Sequence, residues 1–541
     1  MQQAAERNDM KEAATIFERR IIIGAVMCVA AFALVLVRLV DVTLLRGAPL
    51  KSSRSAMEFT RADLVDRNGE LLARDLPVSD LYARPHAFWD KHEAARDLSA
   101  ATGTSEARLL RVFSSRQPYV LVARQLTPDS QDRVMRLGLP GLDFQPGAKR
   151  YYPDGRATAQ VLGVTSQDKD GAEEGISGLE HGLNQVLKNG HPGQEVRLSL
   201  DMRVQYILAH ELAATREEFT AKQAGGLVLN VRTGEVLAMV SLPDFDPNSR
   251  SLGEGDSQRN IIGQDVYELG SVFKIFSFAL AMEDHTTRPD EIFPIGNGYR
   301  IGKYTIHEAE RMPATLAARD ILAQSSNIGT TQIALRSGAE RQRAFLTTLG
   351  LLSPLHTELP EARRPLYPEH WGTIETATVS FGHGISVSPL AFAAAAASVV
   401  NGGRRIQPTF LKHPEDGRGE QVIKPETSLK MRELLRYVVT DGTGKKADVP
   451  GYDVGGKTGS AQKPGPHGYQ HKLVTSFCAA FPIDDPQYLV FVLLDEPHGT
   501  KKTFGFALAG YTAAPLAGRV ISRIAPILGV PQKIVVARSG T

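Results

Sequence analysis

Apolar residues crowd the stretch from Glu268 to Met282, at Val272, Phe273, Ile275, Phe276, Phe278, Ala279, Leu280 and Met282. They cover nearly every face of a 3.6-residue period, which predicts a buried helix. Gly270 precedes it, and two polar side chains remain at its start, Ser271 and Lys274. Three residues apart, they share one face, one turn from each other. A second apolar run, Ile21 to Val37, carries no charge, and Leu39 and Val40 extend it past Arg38. About 20 residues of helix span a bilayer core, so 21–40 is expected to be a single membrane-spanning helix. Ala31-Phe32-Ala33 imitates a signal-peptidase site, but the apolar run continues beyond it. Basic residues flank the run equally, Arg7, Lys11, Arg19 and Arg20 before it and Arg38, Arg46, Lys51 and Arg54 after it. Charge therefore leaves the orientation open.

From about Asp41 to Pro192, short strand-like and helical runs alternate. Arg61 to Ala73 reads as strand, turn, strand around Arg67-Asn68-Gly69. Gly178 to Leu187 reads as a helix. Asp201 is placed to cap a helix with Val204, Ile207, Leu208 and Leu212 on one face. A hairpin follows, Gly226–Val231 against Glu235–Val240 through Arg232-Thr233-Gly234. Gly451–Gln462, Val474–Phe481 and Gln487–Asp495 read as three late strands, and Tyr511–Leu528 as a closing helix. Strands at both ends of this region with helices between them predict an α/β sandwich whose sheet draws on both ends.

Composition narrows the class. At 541 residues, with 42% hydrophobic and 23% charged residues, the chain is a multidomain globular protein. A net charge of +2 does not suggest nucleic acid. Cys28 and Cys478 make neither a disulfide framework nor a CxxC metal site. His467 and His471 have i, i+4 spacing, but Pro464-Gly465-Pro466 and Gly468 argue against a helix that would hold them as a metal pair. That segment is expected to be a mobile loop. Arg404-Arg405 and Lys445-Lys446 read as solvated loop charges, and His383 as structural.

Ser271 and Lys274 can do chemistry together. A serine needs a base to take its proton, and a lysine becomes one when burial or a second cation disfavours its charged form. Two further stretches answer this pair. Ser325-Ser326-Asn327 gives S-x-N, and Lys457-Thr458-Gly459-Ser460 gives K-T-G-S. In this order, S-x-x-K, S-x-N and K-T-G resemble the signature of penicillin-binding proteins and serine β-lactamases. Arg61-x4-Asp66-Arg67-Asn68-Gly69-x2-Leu72-Ala73, Arg150-x-Tyr152-Pro153-x-Gly155 and Gly175-x2-Gly178-Leu179-Glu180 resemble the N-terminal module of class B penicillin-binding proteins. Phe381-Gly-His-Gly-Ile-Ser-Val-Ser-Pro389 is most similar to the cell-division branch. Ala62 departs from the glycine common in that family.

The resemblance implies a cytoplasmic tail over 1–20, the membrane helix over 21–40 and an elongated, non-catalytic α+β pedestal over 41–195. A penicillin-binding, serine β-lactamase-like transpeptidase domain is implied over 196–541. It implies a D,D-transpeptidase of the division septum in the bacterial inner membrane, with its catalytic domain periplasmic and no metal or cofactor. Ser271 would attack a D-Ala-D-Ala stem peptide and be acylated likewise by β-lactams. Lys274 would take its proton, Ser325 would relay a proton to the leaving D-alanine, and Asn327 would orient the donor amide. Lys457 would attract the substrate carboxylate, Thr458 and Ser460 would hydrogen-bond it, and the Ser271 and Ser460 amides beside Gly459 would form the oxyanion hole. Too little chain precedes the active site for a glycosyltransferase domain, so a SEDS-type glycosyltransferase and other division proteins are the implied partners. No deacylating glutamate stands out. The alternatives are an elongation-type transpeptidase or a catalytically silent scaffold that senses β-lactams.

Overall fold

The computed structural model describes residues 22–37, 61–167, 173–190, 193–249, 255–413, 417–465 and 468–533. Residues 22–37 are helical and exposed. Such a helix is about 24 Å long, short of the ~30 Å of a bilayer core. Among the described residues no helix is long and apolar enough to cross a membrane. Of the helix expected over 21–40, the structure describes residues 22–37. Ile21, residues 38–40 and the expected tail over 1–20 lie outside the described residues.

From Phe59 onward the chain is one compact unit. Its N-terminal part is built on a long strand, Leu71–Ala83, which pairs antiparallel with Asp63–Val65, Val120–Leu126 and Leu142–Tyr151. The expected turn at Arg67-Asn68-Gly69 is present. The Asp66 carboxylate closes it, accepting from the Asn68 and Glu70 amides at 2.7 and 2.9 Å. The helix expected over 178–187 is two short ones, Gly178–Gly182 and Asn184–Lys188. Close packing breaks it: a Cβ on Gly182 would run into the Glu358 carbonyl.

The three family-like motifs of this part meet in one buried ion network. Glu180, fully buried, accepts from Arg61 Nε at 3.0 Å and from Arg150 Nε at 2.6 Å. Arg150 also reaches Asp75 at 3.1 Å and the Ala62 carbonyl at 3.0 Å. Buried charge is tolerated only when paired and hydrogen-bonded in this way.

The second sheet has five antiparallel strands, in the order Gly455–Gly465, Gly468–Phe481, Tyr488–Asp495, Gln223–Asn230, Val236–Leu242. The expectation of a sheet drawn from both ends of the region holds. Its central strand, Tyr488–Asp495, is apolar from Leu489 to Leu494 because both faces are covered. Val490, Val492 and Leu494 face the helices Met202–Glu218 and Ala513–Ile527. Leu489, Phe491 and Leu493 face the core that holds the helices Lys274–Glu283 and Pro389–Val400. Asp201 caps the first of these helices, accepting from the Arg203 amide. The segment expected to be a loop around His471 is instead strand, with Tyr469 opposite Pro464. The ladder that begins at Phe481 simply runs on to Gly468, while Pro466 and His467 lie outside the described residues. Lys446 is exposed, as expected, with its amine 4.0 Å from the centre of the Tyr511 ring.

Candidate active site

The helix expected from Ser271 divides in two. Gly270–Phe273 is a 3-10 turn, and the α-helix runs from Lys274 to Glu283. Three rings fix its start: Phe273, Phe276 and Phe392 lie with centroids 5.2–5.6 Å apart, and Phe392 packs on Phe491 of the central strand. Lys274 is completely buried at the head of this helix, while Ser271 on the turn before it is partly open.

The helix Ala318–Gln324 ends at Ser325, which takes a left-handed backbone (φ +66°) rare outside glycine. Ser326 restarts the chain as the cap of the helix Asn327–Ser337, accepting from the Gly329 amide at 2.9 Å. The tight reversal turns the Ser325 carbonyl, the Ser325 hydroxyl and the Asn327 side chain toward Lys274. The Lys274 Nζ distances are 2.5 Å to the carbonyl, 2.8 Å to Asn327 Oδ1 and 3.2 Å to Ser325 Oγ.

Lys457 comes from the strand Gly455–Gly465 and is also completely buried. Its Nζ lies 3.0 Å from Ser325 Oγ and 3.1 Å from the Thr458 carbonyl. Thr458 Oγ1 is 2.7 Å from Thr443 Oγ1, and Ser460 Oγ accepts from the Ala509 amide at 3.0 Å. Gly459 permits this strand to touch the Ser271 turn. A Cβ there would come within 2.6 Å of the Leu269 carbonyl and within 2.9 Å of Val272. The backbones on either side of Ser271 and Ser460 are therefore in contact.

Burial first, and then the Lys457 charge, push the Lys274 amine well below the ordinary lysine range, while Glu308 pulls it back. Burial brings Lys457 down to about 7. A neutral amine has two N–H donors and a lone pair, whereas Lys274 faces three oxygens. With Lys274 neutral, the Ser325 hydroxyl donates to Nζ and accepts from Lys457. Ser325 Oγ then bridges the two amines.

The structure thus brings together Lys274, Ser325, Asn327, Lys457 and Thr458, and sets Ser271, Gly459 and Ser460 against one another. It adds residues that the motif reading passed over. Glu308 accepts from Ser326 Oγ at 2.5 Å and from the Asn327 and Ile328 amides at 2.8 and 3.0 Å. Glu268 accepts from the Gly384 amide at 3.1 Å and from the Tyr469 hydroxyl at 2.9 Å. His383 lies between the Phe381 and Tyr469 rings. Glu268 had a local signal, its place three residues before Ser271, and His383 stood in the Phe381–Pro389 motif, where it was read as structural. Glu308 and Tyr469 come from remote segments with no motif spacing. Among the described residues no group of three His, Cys, Asp or Glu could hold a metal ion.

Two family models match the chain: the penicillin binding protein transpeptidase domain over residues 224–518 and the penicillin-binding protein dimerisation domain over 57–204. A probable peptidoglycan D,D-transpeptidase FtsI of Caulobacter vibrioides is 41% identical, with 88% of this chain aligned to 83% of that one. The peptidoglycan D,D-transpeptidase FtsI of Escherichia coli is 28% identical, over 89% of this chain and 86% of that one. Among solved structures, penicillin binding protein 3 of Mycobacterium tuberculosis, complexed with aztreonam, matches with a TM-score of 0.68 at 25% identity. The match covers 89% of this chain and 99% of that one.

Proposed function

This chain belongs to the class B penicillin-binding proteins of the division type, and from that premise we propose how its residues cross-link septal peptidoglycan. It is a serine-type peptidoglycan D,D-transpeptidase and a β-lactam target. Ser271 Oγ attacks the penultimate carbonyl of a D-Ala-D-Ala stem, and Lys274 accepts the serine proton. The C–N bond to the terminal D-alanine breaks as the new ester forms. The proton passes through Ser325 to the leaving amine, while Asn327 orients the donor amide. An amine of a neighbouring stem then attacks the ester, its nitrogen takes the acyl group, and the serine regains its proton.

The observation that carries these roles is the placement of Ser325 Oγ between two fully buried amines, 3.2 Å from Lys274 and 3.0 Å from Lys457. Lys457 supplies positive potential for the substrate carboxylate. Thr458 and Ser460 also bond that carboxylate through hydroxyls that already have protein partners, Thr443 and Lys457 for Thr458 and the Ala509 amide for Ser460. The Ser271 and Ser460 amides receive the developing oxyanion, and losing one such donor costs about 100-fold or more in rate.

Transfer to an amine, rather than rapid hydrolysis, is supported by the relatives, which are named peptidoglycan D,D-transpeptidases. Full-length protein treated with a fluorescent penicillin, beside Ser271→Ala, tests this. A Ser271 adduct that persists for hours supports the transpeptidase. Release within seconds indicates a β-lactamase, and no adduct favours a silent scaffold.

Residues 21–40 anchor the chain in the bacterial inner membrane, with 1–20 cytoplasmic, a pedestal over 41–195 and the transpeptidase domain over 196–541 outside. The apolar run supports this anchor. A SEDS-type glycosyltransferase and other division proteins are the partners, a reading that follows from the transpeptidase and dimerisation domains matched here. Protease added outside spheroplasts should remove the mass beyond residue 60 and spare the N-terminal tail.

A further inference from the structure

The Ser325–Asn327 turn is held from two sides. On one side its three oxygen acceptors meet Lys274. On the other stands Glu308, which follows the short strand Tyr304–Ile306 and belongs to none of the sequence motifs. Its carboxylate accepts three hydrogen bonds, from the Ser326 hydroxyl and from the first two amides of the helix Asn327–Ser337. Those amides have no partner within the helix, and a carboxylate at a helix N-terminus is favoured by the helix dipole. The turn itself is strained, because Ser325 holds φ +66° without being glycine. Strain of this kind persists only where neighbours over-determine the backbone. Among the hydrogen bonds to the turn, those of Glu308 fix Ser326 and Asn327, the two residues that follow the strained one.

We propose that Glu308 is a positioning residue for acylation: it clamps the Ser325–Asn327 turn against Lys274 and supplies the negative charge that balances Lys457 across the proton acceptor. The inference rests on the reading of Lys274 as the base. The charged and titratable groups facing Lys274 come from several elements. Lys457 on the strand Gly455–Gly465 opposes its positive form and Glu308 favours it. Burial first, and Lys274 to a lesser extent, disfavour a charged His383 on the loop that follows the helix Thr373–Ser380. Glu308 thus opposes the depression of the amine that burial and Lys457 cause.

Two consequences separate this role from that of a plain helix cap. Glu308→Gln removes the charge and turns one acceptor into a donor facing amide N–H groups. The Lys274 ammonium loses a favourable neighbour, so the acidic limb of the acylation pH profile moves to lower pH, by about half a unit or more. The maximal rate falls about tenfold or more as the turn loosens. Ser326→Ala removes one of the three donors and leaves the charge in place, so it slows acylation and leaves the limb where it was.

The experiment is the second-order rate of fluorescent-penicillin labelling of full-length protein from pH 5 to 10, for wild type and both variants, with thermal melts to establish folding. A limb displaced downward in Glu308→Gln, together with slower labelling of Ser326→Ala at an unchanged limb, supports the proposal. A Glu308→Gln limb at the wild-type pH overturns it, leaving a structural cap. Should Glu308→Gln not fold, Ser326→Ala labelled at the wild-type rate overturns it alone, and slower labelling at an unchanged limb sustains the clamp. Wild type that is not labelled at Ser271 overturns the site reading itself, an outcome distinct from any of these.

Discussion

Lys457 Nζ lies 3.0 Å from the Ser325 hydroxyl, although 132 residues of chain separate the two. The contact puts a second amine next to the group that already touches Lys274, and it makes the titration of Lys274 depend on Lys457. The acceptor must be neutral, so acylation is fast above the Lys274 midpoint and is lost as pH falls through it. Lys457→Met removes a positive neighbour, and the Lys274 ammonium becomes easier to retain. The acidic limb of penicillin labelling should therefore move to higher pH, opposite to Glu308→Gln, with a maximal rate lower by about 100-fold. A limb that stays in place or moves down would show that the two amines are not coupled.

The same substitution should change stability in a pH-dependent way. Burial holds Lys457 near 7 in the folded protein, against an ordinary value of 10.5. Between those values the unfolded chain binds more protons than the folded one, so stability rises with pH across the window. Below pH 7 the full cost is present. Lys457→Met does not carry it. Its melting temperature relative to wild type should therefore be most favourable near pH 6, by several degrees, and the difference should shrink toward pH 10. Calorimetric melts at four pH values check this, and a constant difference would contradict a neutral buried amine.

Gly382 holds φ +81°, and a Cβ there would run into the Gly270 carbonyl, next to Ser271. Gly382→Ala should strain this backbone by about 1–3 kcal/mol and push the serine turn off the Gly455–Gly465 strand. Labelling should slow by about 100-fold, as expected for a displacement of about 1 Å at the reacting group. A variant that loses stability but labels at the wild-type rate would show that the 382–384 loop does not set the serine position.

Glu180→Ala should destabilise the N-terminal part and leave chemistry intact. Its carboxylate faces two buried guanidinium groups, Arg61 and Arg150. Removing one partner from such a group typically costs about 3–5 kcal/mol. Denaturant titration should show the loss, and folded protein should still be labelled at Ser271. Replacing Glu180 with Gln should cost less, since the amide oxygen still accepts from one arginine.

The site was legible in outline because its chemistry sits in three short, ordered motifs. Ser271, Lys274, Ser325, Asn327 and Lys457 each stood in one of them. The buried helix, the Asp201 cap and the central strand were legible too, since each has a single strong pattern. Leu489 to Leu494 is an unbroken apolar run because that strand is covered on both faces. Glu308 was not legible, because its role arises from a contact across 18 to 20 residues with a turn whose backbone no pattern announces. The segment around His471 misled for a different reason. Proline and glycine predict a loop from local preference, whereas pairing with the K-T-G strand extends the ladder to Gly468. The break at Leu183 was hidden because it follows from packing of Gly182 on Glu358, a tertiary contact.

The strand order also sets a timetable. Tyr488–Asp495 lies between Gln223–Asn230 and Gly468–Phe481 and pairs with both. A chain growing from its N-terminus makes the serine helix early, yet the sheet that seats Lys457 cannot close until some 200 further residues have been synthesised. Until then the Gln223–Leu242 hairpin presents an open, apolar edge of the kind that invites aggregation. Reactivity toward a β-lactam should therefore be among the last properties the nascent chain acquires, and truncation before residue 495 should leave a protein that carries Ser271 and Lys274 but has no working site.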